Sequence, residues 1–126
     1  MENSTMQRGP EQWFLDAHPE RGSVRVQVST GRGLFPVEGA RVEVYRRLGP
    51  EPTVFYEGVT DASGIAEGIR LPALPAGWSQ SAETAGISGT VYQVSVRHPQ
   101  HGTVEGRPVT VFPRIETVLA VSLGAA

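Results

Sequence analysis

Residues 36–72 read PVEGARVEVYRRLGPEPTVFYEGVTDASGIAEGIRLP, and this stretch decides the fold. Near its start, Ala40, Val42 and Val44 alternate with charged side chains. A period of two is typical of a β-strand that buries one face, so these three side chains are predicted to face a core. A loop and a second strand follow.

The second strand runs into a predicted tight turn, TDASG, at residues 60–64. An aspartate at the position of Asp61 can accept hydrogen bonds from backbone amides ahead of it, and Gly64 can adopt a positive φ. The turn therefore predicts a chain reversal into a further strand.

The same alternation recurs along the rest of the chain. The predicted strands cover residues 23–29, 40–47, 53–60, 65–71, 90–97, 103–113 and 115–123. About seven short strands separated by Gly- and Pro-containing turns are typical of an all-β sandwich. The predicted fold is a single antiparallel Greek-key β-sandwich over residues 22–126, preceded by an N-terminal arm over residues 1–21.

The arm contains an apolar segment, PEQWFLDA, at residues 10–17. Proline followed by glutamate is typical of the start of a short helix, although the same residues could also run extended. Trp13, Phe14 and Leu15 are the predicted partner-contact residues of this segment. Two interpretations stay open: the rings close one open end of their own domain, or the arm docks on a neighbouring subunit, for example as an added strand.

Composition excludes several classes of function. The chain has 126 residues, the length of one domain, and its net charge of −2 gives no electrostatic reason to expect a nucleic-acid partner. It has no cysteine, which excludes disulfides and thiolate metal sites. All eleven basic residues are arginine, so lysine chemistry such as a Schiff base or a Lys–Asn isopeptide bond is excluded.

Targeting signals are also not expected. Residues 1–22 have no apolar core of the kind found in a signal peptide, and no apolar run approaches the ~20 residues of a membrane helix. We therefore expect the protein to be made in the cytoplasm and not to insert into a membrane. Its final location stays open, with the spore or cell surface as a candidate.

The polar cluster RHPQH at residues 97–101 is the best candidate for metal chemistry. His98 and His101 could ligate a metal if a third donor came from elsewhere. Their position in a Pro- and Gly-containing segment instead favours a solvent-exposed turn. The pair Arg46-Arg47 is likewise interpreted as solvated. We therefore predict no catalytic residues, no metal and no cofactor.

Four motifs carry a resemblance to known sandwich domains. They are Gly22-x-Val24-x-Val26-x-Val28, Pro36-Val37-x-Gly39-Ala40-x-Val42-x-Val44-Tyr45, Thr60-Asp61-x-x-Gly64 and Tyr92-x-Val94-x-Val96. This pattern resembles the carboxypeptidase regulatory-like, transthyretin-like and collagen-adhesin B-type sandwiches. The ending over residues 106–123 is similar to a version in bacterial spore cortex-lytic and cell-envelope proteins, which implies an accessory, non-catalytic module.

One enzyme family shares this sandwich, the hydroxyisourate hydrolases. The resemblance implies a histidine in the first strand and a Tyr-Arg-Gly-Ser tail. Here residues 24–28 contain no histidine and the chain ends Leu-Gly-Ala-Ala, so that activity is not expected.

The predicted function is a non-catalytic structural or protein-interaction module that self-assembles into an oligomer or fibre through its arm. An alternative is a glycan- or peptidoglycan-binding accessory module, in which Trp78 and Tyr92, near the loop over residues 72–89, form a stacking surface. A hydroxyisourate hydrolase-like enzyme is the third interpretation. The expected partners are further copies of the chain or cell-wall glycan.

Overall fold

The structure is a computed structural model and describes residues 9–74 and 89–124. Its elements are α1 (Pro10–Ala17), β1 (Glu20–Thr30), β2 (Phe35–Pro36), β3 (Arg41–Arg47), β4 (Pro52–Val59), β5 (Ile65–Ala73), β6 (Thr90–His98), β7 (Gly102–Val111) and β8 (Glu116–Ser122). The predicted all-β sandwich is confirmed. The strand that the sequence did not reveal is β2, a two-residue segment paired with the end of β1.

Two sheets make up the sandwich. In the first sheet, β1 pairs with β5 and β2 along one edge and with β8 along the other. The second sheet has the order β4-β3-β6-β7. Neighbouring strands are antiparallel except β1 and β8, which are parallel. The chain reaches β8 from β7, in the opposite sheet, so no hairpin forces β8 to run against β1.

Valine dominates the core between the sheets. Val24 and Val26 of β1 and Val42 and Val44 of β3 are fully buried, as the period of two predicts. Burying a side chain of this size stabilises the fold by roughly 2 kcal/mol. The same alternation turns the intervening side chains of β1 to the outer face of the first sheet, where the candidate site lies.

The predicted turn after β4 has the expected hydrogen bonds. The Oδ1 atom of Asp61 accepts the backbone N–H groups of Ser63 at 2.9 Å and of Ile65 at 3.0 Å. Gly64 has a φ of 76°. These contacts fix the direction in which the chain enters β5 and crosses to the first sheet.

The arm forms helix α1 and packs against its own domain. Phe14 is buried against Phe55 of β4 and Tyr92 of β6, with ring centroids 5.7 and 6.2 Å away. Phe14 therefore packs at one end of its own domain, which is the position that the first of the two interpretations gave it. On the same helix Trp13 is 66% exposed and Leu15 is 41% exposed.

The helix is short: α1 has eight residues, and among the described helices none combines the length and apolar character needed to cross a bilayer.

Candidate functional site

Four arginines lie on the outer face of the first sheet, a surface we call the arginine face. They are Arg21 and Arg25 on β1, Arg70 on β5 and Arg114 in the turn between β7 and β8. Strand register brings Arg70 diagonally next to Arg21, because Arg70 lies opposite Ser23. Diagonal neighbours on a sheet are ~7–8 Å apart, within reach of long side chains. The backbone N–H of Arg114 donates to the carbonyl oxygen of Arg21 at 2.8 Å, which adds a third guanidinium to this end of the sheet.

A cleft of about 350 Å³ lies between these side chains. Its lining residues are Arg21, Gly22, Ser23, Gly68, Arg70, Arg114 and Glu116. Gly68 has a φ of 76°, and a Cβ atom built on it would meet nothing within 4 Å. Because glycine has no side chain, the cleft stays open at this position, beside Arg21 and Arg70.

The positive charge of this face is only partly offset by Glu116, which lines the same cleft. Within residues 9–74 and 89–124, none of the four arginines forms an ion pair with a carboxylate. By contrast, Arg41 and Glu57 of the second sheet form one, at 3.2 Å. The Nε atom of Arg25 is buried and has no hydrogen-bond partner. The arginine face is therefore a local cluster of unpaired positive charge on a chain whose net charge is −2.

The turn that carries Arg114 is held in an unusual backbone conformation. Arg114 has a φ of 61°, which a residue with a Cβ atom seldom adopts. The turn is tied to β1 by the bond from Arg114 to Arg21 and by a second bond, in which the N–H of Ser23 donates to the carbonyl oxygen of Ile115 at 3.1 Å. Those bonds hold the Arg114 side chain at the rim of the cleft.

A second polar group occurs where the arm meets the domain. The ring of His18 stacks on Phe14, with centroids 3.9 Å apart, and its Nδ1 atom donates to the carbonyl oxygen of Phe14 at 2.7 Å. Burial lowers the pKa of His18, and the positive charge of Arg46 lowers it further. The hydrogen bond to Phe14 raises the pKa, but by less than burial lowers it. Neutral His18 therefore fits this position.

The interpretation of Arg46-Arg47 as a solvated pair is wrong for Arg46. It is half-buried, its Nη1 atom donates to the carbonyl oxygen of Val91, and its guanidinium lies over the ring of Phe14. The Phe14 ring of the arm packs against Arg46, so Arg46 is half-buried while Arg47 stays exposed.

Tyr92 lies at the centre of the same end of the sandwich and is fully buried. Its hydroxyl donates to the carbonyl oxygen of Pro72 at 2.6 Å and so joins the two sheets. Burial raises the pKa of Tyr92 well above its usual range. A fully buried ring offers no stacking surface, so the interpretation that pairs Tyr92 with Trp78 in glycan binding is wrong for Tyr92. Trp78 lies outside the described residues.

The other candidates from the sequence stand apart from the arginine face. His98 and His101 lie in the β6–β7 turn with ring centroids 4.8 Å apart, and in the described part of the chain no group of three potential ligands forms around them. Trp13, Phe14 and Leu15 are on α1. Whether Trp13, Phe14, Leu15 or Trp78 contacts a partner stays a prediction.

Sequence reasoning missed the arginine face. One signal was available in SVRVQVS, residues 23–29: if Val24 and Val26 face the core, Arg25 must face outward. Arg21 shares this outer face because β1 begins at Glu20, three residues before the predicted start of the strand. Arg70 and Arg114 join them only through strand register and the β7–β8 turn, which the sequence pattern does not specify.

Comparison with known proteins gives a distant structural likeness. No family model and no curated protein matches the chain. A crystal structure of (S)-allantoin synthase is similar to it over 82% of this chain and 41% of that chain, with 17% sequence identity and a TM-score of 0.48. This chain thus spans less than half the length of that structure, and the likeness transfers no activity to it.

The comparison corrects the predicted function. We expected a non-catalytic structural or interaction module that self-assembles through its arm, whereas the protein found to be similar is named as an enzyme. That expectation was wrong. The predictions about enzymatic activity, homo-oligomer and glycan partners, and the resemblance to carboxypeptidase regulatory-like sandwiches, stay predictions.

Proposed function

We propose that this protein binds a small oxyanion, such as a carboxylate, in the cleft of the arginine face. The observation that carries the proposal is the convergence of Arg21, Arg70 and Arg114 on one cleft without a carboxylate partner among the described residues. A guanidinium presents a planar fork of N–H donors that matches the two oxygens of a carboxylate. An anion between three such groups would supply the missing negative charge.

The shape of the cleft supports the same proposal. A volume of about 350 Å³ lies at the lower end of the range for small-molecule sites. Gly68 lets a ligand approach the backbone of β5, and Ser23 places a hydroxyl between Arg70 and Glu116 on the strand between them. Glu116 adds one negative charge at the rim, which would favour ligands with a single anionic group over highly charged ones.

The test is a titration followed by NMR, with sodium acetate and sodium phosphate as probes at low ionic strength. We expect shifts centred on the amides of β1, β5 and the β7–β8 turn. Arg70→Gln should weaken binding about tenfold or more, since a hydrogen bond to a charged group contributes roughly 1.5–3 kcal/mol. Added salt should weaken it further by screening.

Arg97→Gln is the matched control, because it removes the same charge from an exposed position on β6 in the second sheet. It should leave the affinity close to that of the wild type. Equal losses in Arg70→Gln and Arg97→Gln would show a general charge effect and contradict a site. No shift with either probe would also contradict it.

A further inference from the structure

A second cleft adjoins the first and differs from it in chemistry. It has a volume of about 280 Å³ and shares Arg21 and Arg70 with the cleft of the arginine face. Its other lining residues are Glu11, Leu15, Thr53, Val54, Phe55 and Pro72. The two clefts therefore meet at a pair of guanidinium groups. The second cleft adds apolar side chains, those of Leu15, Val54 and Phe55, beside the polar side chains of Glu11 and Thr53.

Two aliphatic side chains of the second cleft are open to solvent. Leu15 of α1 is 41% exposed and Val54 of β4 is 49% exposed. Apolar surface of this kind gains free energy when a ligand removes it from water, in proportion to the area covered. A hydrogen bond from the Thr53 hydroxyl to the Glu11 carboxylate, at 3.1 Å, joins the helix to β4, so the elements that carry Leu15 and Val54 are linked.

We infer that the ligand is an amphipathic organic acid, with its carboxylate between Arg21 and Arg70 and its apolar part against Leu15 and Val54. This inference rests on the proposed function and narrows its ligand class. The unpaired guanidinium groups select the charged end, and the exposed side chains select the apolar end. A chain of several methylene groups can extend from the carboxylate towards Leu15 and Val54, because Arg21 and Arg70 line both clefts.

The experiment compares octanoate, acetate and 1-octanol by NMR titration of the full chain, at concentrations below the aggregation limit of octanoate. Each methylene group that leaves water tightens binding about fourfold. With at least two of them buried, octanoate should bind about 15-fold or more tightly than acetate. Octanol should bind far more weakly than octanoate, because it cannot neutralise the arginines.

Two variants locate the apolar end. Val54→Thr keeps the shape of the side chain but replaces one methyl group with a hydroxyl, and Leu15→Gln replaces an apolar side chain on the helix with a polar one. Each should lower the octanoate-to-acetate affinity ratio severalfold while leaving acetate binding unchanged. Val59→Thr is the control, since Val59 is also on β4, is 60% exposed and lies outside the cleft. Circular dichroism spectra of all variants should match the wild type.

The outcomes separate the two proposals. If acetate and octanoate bind equally well, or if Val54→Thr and Leu15→Gln leave their ratio unchanged, the inference is wrong and oxyanion binding stands. If octanoate binds with unaltered affinity to Arg70→Gln, neither proposal holds. If none of acetate, phosphate and octanoate binds, the proposed function itself is wrong.

Discussion

The guanidinium carbon of Arg46 lies 5.1 Å from the centroid of the Phe14 ring, so β3 holds the N-terminal helix through a cation–π contact. The same ring stacks on His18 and meets Tyr92 edge-on. Phe14 therefore links the arm to both a cation and the aromatic cluster of the domain. Phe14 is the buried side chain through which the arm packs on the core, while Trp13 is 66% and Leu15 41% exposed.

Replacing Phe14 should loosen the arm. We expect Phe14→Ala to lower the free energy of unfolding by about 3 kcal/mol, because a buried aromatic ring and its contacts are lost. Urea denaturation followed by far-UV circular dichroism measures the change. Leu34→Ala is the control: Leu34 is 74% exposed, and its truncation should change the free energy by less than about 0.5 kcal/mol. Equal effects of the two substitutions would contradict the packing of the arm.

Stability should depend on pH through His18. Burial lowers the pKa of this group from 6.5, so the folded state binds its proton less tightly than the unfolded state does. The neutral ring then stabilises the fold fully above pH 6.5, and that contribution is lost as the pH falls through the lower pKa of the folded state. Protonation would also place a positive charge close to Arg46, which faces it from β3.

The pH dependence of His18 can be isolated by substitution. His18→Asn keeps an N–H donor near the carbonyl oxygen of Phe14 but does not titrate. The difference in unfolding free energy between wild type and this variant should shrink as the pH is lowered from 7.5 to 5. A difference that stays constant over this range would contradict the lowered pKa, since the carboxylates of the chain titrate in both proteins and cancel.

The main strands could be predicted because burial on one face forces a period of two. Val24, Val42 and Val94 each alternate with polar neighbours, and each is fully buried. The turn at Asp61 and Gly64 could also be predicted, because aspartate and glycine have specific local roles there. The parallel pairing of β8 with β1 could not be predicted, since it depends on contacts between strands about 90 residues apart in the sequence.

The candidate site was largely hidden from the sequence for the same reason. Arg21, Arg70 and Arg114 are far apart along the chain and are brought together by the β1–β5 register and a strained turn. The partial burial of Arg46 could not be predicted either, because it depends on where the arm packs. Tyr92 could be assigned to a strand face by its alternation with Val94, but its complete burial beneath the arm required the structure.

Thr60 should tolerate serine but not valine. This buried side chain donates a hydrogen bond to the carbonyl oxygen of Val37 at 2.6 Å and accepts one from the N–H of Ala40 at 2.9 Å. Thr60→Val leaves both backbone groups buried without a partner, which should cost about 2 kcal/mol of unfolding free energy. Thr60→Ser keeps the hydroxyl and should cost less than half as much. If the two variants are equally stable, the hydroxyl contributes nothing and the prediction is wrong.

Gly64 and Gly39 allow steric exclusion to be separated from backbone strain. Both have positive φ, 76° and 77°, so an alanine at either position has the same conformational cost of roughly 1 kcal/mol. A Cβ atom at Gly39 would meet nothing within 4 Å, whereas at Gly64 it would lie 2.4 Å from the carbonyl oxygen of Val28. That oxygen accepts the N–H of Val37, and the N–H of Val28 donates to the carbonyl oxygen of Gly64 itself, so neither strand can move aside without losing hydrogen bonds.

Gly64→Ala should therefore be less stable than Gly39→Ala by about 2 kcal/mol or more in urea denaturation. Equal stability of the two variants would mean that the turn shifts freely, and would contradict the close approach of β1 and β5 at this point.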